Sequence, residues 1–360
     1  MKVYFFTAPH GPATRACYDH QLVALAEGLL QKPHEISGKH KFYPLFEGNR
    51  SHLIEHEHFS YSESDVVVFS SEIFDGGHTK LLPSDLYSSN RKYKLVFLDN
   101  SDGLKTPGFR PEIRNVDIVL KSHFNSWQKY PDNFVPWQYG LTNRLIEYAA
   151  LNANKPRKHT IMESFRVDHG TRTLAHRYFI PLLDPGLEID ETREEFDKHH
   201  LATKEQKLWE ITGRRHYPSY YQRLGSSLAC AAFGGTIQPS WLFGDIRFRS
   251  HISRVNDLFT HGRSGSRILQ WDSYRFWESL ISGCATIHVD LNIYGAILPI
   301  MPINFKHYIG VDFKKVKKAV TVTNDLPQIS RIAKNGQEWA LENYSPVAIA
   351  NRFLSLIDSI

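Results

Sequence analysis

The sequence predicts an α/β protein made of two Rossmann-like domains, and three observations carry that reading. Its 360 residues are more than one ordinary core holds and suit two domains. Short, wholly apolar runs of strand length alternate with stretches whose apolar residues recur at helical spacing, the pattern of parallel strands covered by helices. One late stretch, Gln270–Asp290, compresses the whole unit into a polar turn, a helix and a buried strand.

The first domain is expected over residues 1–150. Lys2–Thr7 reads as a strand, Ala8–Pro12 as a turn, and Ala16–Leu30 as a helix with Leu22, Leu25, Ala26 and Leu29 on one face. Ligands of such domains lie at the carboxyl ends of strands, which makes His10, Arg15 and Asp19 candidates for a cleft. Residues 31–64 read as an irregular polar connection. They include His52-Leu53-Ile54-Glu55-His56, which matches the H-x-x-E-H pattern of some zinc peptidases. Its flanks do not continue an amphipathic helix, and no third ligand motif follows. A zinc-dependent hydrolase is therefore the weakest alternative, and no metal site is assigned.

Asp65–Ser70, Lys94–Asp99 and Val116–Lys121 are buried strands by their apolar runs. The turn Asn100–Gly103 sets Asp99 and Asp102 just beyond a strand end, where a carboxylate can serve as a base toward a hydroxyl. Lys121-Ser122-His123 ends the next strand at the same edge. Val135–Leu141 is broken by proline and glycine, a helix is predicted at Asn143–Leu151, and the polar stretch Asn152–Lys158 marks the domain boundary.

The second domain, 151–342, opens with a strand at His159–Val167 and a helix at Thr171–Leu182. Arg166 and Arg172 bracket the loop between them. Asp184–Lys207 is charged and includes a surface helix, and Tyr217–Leu224 is an aromatic helix. Ser226–Phe233 reads as a strand ending in Gly234-Gly235, a pair that lets backbone approach a ligand closely. Residues 240–265 are rich in Arg and His and receive no assignment. The prolines of Tyr294–Gly310 exclude a regular central strand, and Val320–Thr323 reads as a last short strand. Ile329–Glu342 and Pro346–Ile357 are helices, and 343–360 forms a separate terminal segment with Pro346 suited to a first helical turn.

The chemistry is densest in Gln270–Asp290. Asp272 or Ser273 suits the N-cap, and Phe276, Leu280 and Ile281 follow at helical spacing. Free N–H groups and the helix dipole favour an anion at such a start, so Ser273 and Tyr274 are placed against a diphosphate. Arg275 in the first turn can grip two phosphate oxygens. Glu278, one turn on, can accept hydrogen bonds from two sugar hydroxyls. Its neighbours Trp277 and Leu280 are apolar, and a carboxylate among them needs a partner.

Glu278-Ser279-Leu280-Ile281-Ser282-Gly283-Cys284-Ala285-Thr286-Ile287 resembles the nucleotide-sugar segment of GT-B glycosyltransferases, where such a glutamate binds ribose. Arg275–Asp290 also resembles exostosin-type transferases. Many retaining members carry a second glutamate eight residues earlier, where this chain has Gln270. The resemblance implies two domains facing across a cleft, with the terminal helix crossing back to the first. It implies transfer of a sugar from a nucleotide-sugar donor to a hydroxyl of a glycan or glycoconjugate, as in polysaccharide biosynthesis. A nucleotide-sugar binding protein or epimerase of similar fold is the alternative that stands ahead of the hydrolase. Glu278, Arg275, Tyr274, Ser273, Arg166, Arg172, Gly234 and Gly235 would hold the donor, while Asp102, His10 and Asp19 are the candidates for catalysis. No cofactor is implied, and positive charge from arginines and the helix end replaces a metal.

Net charge is +5 with a pI near 8.9. That suits an anionic ligand and admits a peripheral membrane contact, but it is too weak to imply nucleic acid. Three scattered cysteines build no disulfide framework and point to a reducing cytoplasm. No apolar run approaches a membrane span, and no secretory leader is expected.

Overall fold

The computed structural model describes residues 1–8, 19–56, 58–75, 77–100, 111–164, 170–192, 203–212, 218–238 and 265–360. In chain order its strands are β1 (Lys2–Phe6), β2 (Glu35–Gly38), β3 (Phe42–Pro44), β4 (His52–Ile54), β5 (Val66–Ser70), β6 (Lys94–Asp99), β7 (Ile118–Lys121) and β8 (Phe134–Pro136), followed by β9 (Lys158–Met162), β10 (Glu188–Asp190), β11 (Ser227–Ala231), β12 (Thr236–Gln238), β13 (Arg267–Leu269), β14 (Ala285–Val289) and β15 (Ile309–Val311). They form two parallel sheets, one of six strands in the order β2-β1-β5-β6-β7-β8 and one of five in the order β10-β9-β11-β14-β15. Two antiparallel pairs, β3 with β4 and β12 with β13, are attached to them.

The pleat explains the continuous apolar runs. Alternate residues of one strand serve different cores, Val66 and Val68 on one face of the first sheet and Val67 and Phe69 on the other. The first of these faces is covered by the helix His20–Leu30 and also by Ile349, Ala350, Phe353 and Ile357 of the helix Pro346–Asp358. The last helix thus completes the core of the first domain. The approach is close: a Cβ at Gly28 would lie 1.9 Å from the Pro346 carbonyl oxygen.

Several expectations are corrected. Val320–Thr323 is the end of a helix, Lys317–Thr323, whose Ala319, Val322 and Thr323 are buried. Those positions follow helical spacing, which four residues could not reveal. Residues 31–64 are not merely irregular, since β2 joins the first sheet and β3–β4 form a hairpin. His52 therefore lies on a strand, and the two histidines cannot share a metal on one helix face. Its Nδ1 is 2.8 Å from the Ser51 hydroxyl, and the Glu55 carboxylate accepts from the Ser51 and His52 main-chain N–H groups. Edge strands β8 and β15 were also missed. β8 ends in Pro136, which an outermost strand tolerates.

Candidate functional site

The carboxyl ends of β7 and β8 meet the start of the helix Tyr274–Ile281, and a few polar contacts fix that meeting. Ser273 takes the extended N-cap conformation, but its side chain makes no capping bond, and among the described residues its buried Oγ has no partner. The Asp272 carboxylate bonds elsewhere: Oδ1 accepts from Trp277 Nε1 at 2.7 Å, and Oδ2 from the main-chain N–H of Tyr139 at 2.8 Å. The Asp272 N–H donates to His123 Nδ1 at 3.0 Å. Burial pushes the Asp272 carboxyl up to about 7, while the Trp277, Tyr139 and Ser273 bonds pull it down. Tyr274 stacks on Tyr139 with centroids 4.9 Å apart, and His20 meets the Tyr274 ring edge-on at 5.1 Å. The Nε2–H of His20 donates to the Gly140 carbonyl at 2.9 Å.

One turn further, Glu278 is 3% exposed. Phe276, Trp277, Leu280 and Ile281 enter the apolar core around it. The carboxylate is held by two tyrosines from the helix Pro218–Ser226: Tyr220 donates to Oε2 at 2.8 Å and Tyr221 to Oε1 at 3.3 Å. Tyr221 stacks on Tyr148 at 4.6 Å. Burial and the Glu278 charge push the Tyr220 hydroxyl well above its ordinary value, with Arg275 acting against them. Arg275, half-buried in the first turn of the Glu278 helix, pulls both the Tyr220 hydroxyl and the Cys230 thiol down against the effect of burial. An acid, an arginine and two tyrosines thus converge beside one helix start.

The other expected residues fall in three groups. His10, Arg15, Asp102 and Arg166 lie outside the described residues. Arg172 is buried, and its Nε donates to the Phe233 carbonyl at 3.0 Å. Gly234 and Gly235 lie near that carbonyl, but the backbone they approach is the chain's own. Gly235 has φ +84°, and a Cβ there would lie 2.3 Å from the Leu269 carbonyl oxygen. Asp19 is the N-cap of His20–Leu30, with Oδ1 accepting from Leu22 N–H at 3.1 Å. Burial pushes its carboxyl up to about 6, with the Ser70 hydroxyl and the Leu22 N–H pulling it down. Asp99, which shared the reading of Asp102 as a base, forms a buried ion pair with Lys121 at 2.8 Å.

Sequence reasoning missed Tyr220, Tyr221, Tyr139 and the bridging role of Asp272. The aromatic run at 217–224 was the signal for the tyrosines. Among the described residues, Glu163, His176 and Glu191 bring one potential metal-ligand atom each within 4.8 Å of one another.

The two parallel sheets, joined at their carboxyl edges and with the last helix returned to the first, define the GT-B fold. No family model and no curated protein matches the sequence. Solved structures do share the fold. Anabaena HepE in complex with UDP-glucose superposes with a TM-score of 0.50 at 11% identity over 100% of both chains. Sucrose-phosphate synthase from Thermosynechococcus elongatus gives a TM-score of 0.50 at 11% identity, over 99% of this chain and 98% of that one.

Proposed function

We propose that the protein is a glycosyltransferase that moves a hexose or pentose from a nucleotide-sugar donor to a hydroxyl of a glycan or glycoconjugate. The observation that carries this reading is the buried Glu278 carboxylate beside Arg275, one turn inside a helix whose start lies where the two sheets meet. In this reading the amides at Ser273 and Tyr274 and the Arg275 guanidinium hold the diphosphate. Arg166 and Arg172 add charge as the leaving group becomes more negative. Glu278 holds the ribose.

Catalysis then needs a base on the first domain. Asp19 precedes His20, whose ring meets Tyr274 of the proposed donor helix, and burial raises its carboxyl to about 6, toward the range a general base needs. His10 and Asp102 are the other candidates. The cationic donor site stands in for a metal, so activity should survive a chelator. The complex of HepE with UDP-glucose supports uridine nucleotides as first choices for the donor.

The test is calorimetric titration with UDP, UDP-glucose and other nucleoside diphosphate sugars, against wild type and Glu278→Ala. A donor that binds wild type and loses affinity by about 2–4 kcal/mol in the variant is expected. Equal affinity would remove the ribose role, and no binding across the panel would remove the transferase reading.

A further inference from the structure

Outside the donor helix, residues 291–318 carry an unusual combination of exposed groups; their first part borders the seam, where the Ser126 N–H donates to the Gly295 carbonyl at 2.8 Å. The segment contains five lysines (Lys306, Lys314, Lys315, Lys317 and Lys318) against one acid, Asp312, and no arginine. All five lysines are exposed, and among the described residues none forms an ion pair. Beside them stand two isoleucines that a monomer gains nothing by exposing, Ile293 at 52% and Ile303 at 54%.

The chain holds these groups together. The Asp290 carboxylate accepts from the Ile293 N–H at 3.1 Å and from Asn304 Nδ2 at 2.7 Å, so one buried acid ties both isoleucine loops. Lys318 lies 4.6 Å from the centroid of the Phe305 ring, which brings the lysine run up to the Ile303 loop. The Asp312 carboxylate accepts from the Lys314 N–H at 2.9 Å. Pro299 and Pro302 stiffen the loop, so little order remains to be gained on binding.

We infer that this face docks the protein on an anionic lipid bilayer, with the lysines over the headgroups and Ile293 and Ile303 inserted at the boundary with the acyl chains. The charge fits such a surface, and the isoleucines choose it over other polyanions. A nucleic acid offers no apolar layer for them. The inference stands apart from the transferase reading, because its test reads binding alone.

The experiment is co-sedimentation of the full chain with phosphatidylcholine vesicles, with and without about one third phosphatidylglycerol. Binding to the anionic vesicles only, weakened by salt, is expected. At about fivefold per lysine, the variant K314Q/K315Q/K317Q/K318Q should bind more than a hundredfold more weakly. I293S/I303S should lose roughly tenfold or more while keeping its salt dependence. All six positions are exposed, so melting temperatures should stay near wild type. Absent or composition-independent binding overturns the inference. So does an isoleucine-independent interaction that a DNA duplex competes away completely, which would mark a general polyanion site.

Discussion

The main-chain N–H of Asp272 donates to Nδ1 of His123, joining the second domain to the carboxyl end of β7. An acceptor nitrogen carries no proton, so the imidazole proton of neutral His123 sits on Nε2. Burial and the neighbouring Lys121 charge hold His123 well below its usual pKa, so it remains the neutral acceptor at physiological pH. His123 also has φ +54°, a conformation that β-branched residues resist. His123→Val should therefore cost more stability than His123→Asn, by about 1–3 kcal/mol, through strain and the unpaired Asp272 N–H. Urea unfolding of both variants measures the difference.

The Asp272 carboxylate accepts from Trp277 through Oδ1 and from Tyr139 through Oδ2. An asparagine amide in its place must turn its NH2 toward one of them. Asp272→Asn should lose about 1–3 kcal/mol of stability. A nucleotide-sugar titration, set beside the melting curve, separates a loosened seam from a damaged donor site.

Glu27 offers a test by pH. It is buried, its Oε2 accepts from the Asn143 N–H at 2.7 Å, and burial raises its carboxyl to about 8 from 4.5. Below pH 4.5 both folded and unfolded forms hold the proton. Between 4.5 and 8 the folded form keeps a proton that the unfolded chain releases, so stability falls as pH rises through this window. Glu27→Gln should flatten that slope, as read from melting temperatures across the window.

At Gly28 a methyl group would meet both the Pro346 carbonyl and, at 2.8 Å, Ala350 Cβ. Gly28→Ala, normally favourable within a helix, should here cost about 1–3 kcal/mol. Hydrogen exchange should show the loss first in Pro346–Asp358.

Much of this architecture was legible because parallel strands covered on both faces must be apolar throughout. Lys94–Asp99 was read with both ends correct, and the others of this kind within two residues except His159–Val167, which ends at Met162. The edge strands were not legible: β2, β8 and β15 are short, and the first two contain Gly38 and Pro136. At the site, Glu278 could be singled out because an acid amid Trp277 and Leu280 is costly without partners. The identity of those partners was not readable. Tyr220 and Tyr221 lie more than fifty residues away in sequence, and only the packing of one helix on another brings them there.

The return of Pro346–Asp358 to His20–Leu30 has a consequence for biosynthesis. The first sheet is synthesised early, yet the face that Pro346–Asp358 shares with His20–Leu30 stays only partly covered until that later helix has emerged. The nascent first domain must wait with an apolar flank open while the second is made. A fragment cut after the first sheet should therefore aggregate, and adding the Pro346–Asp358 segment as a separate peptide should rescue it.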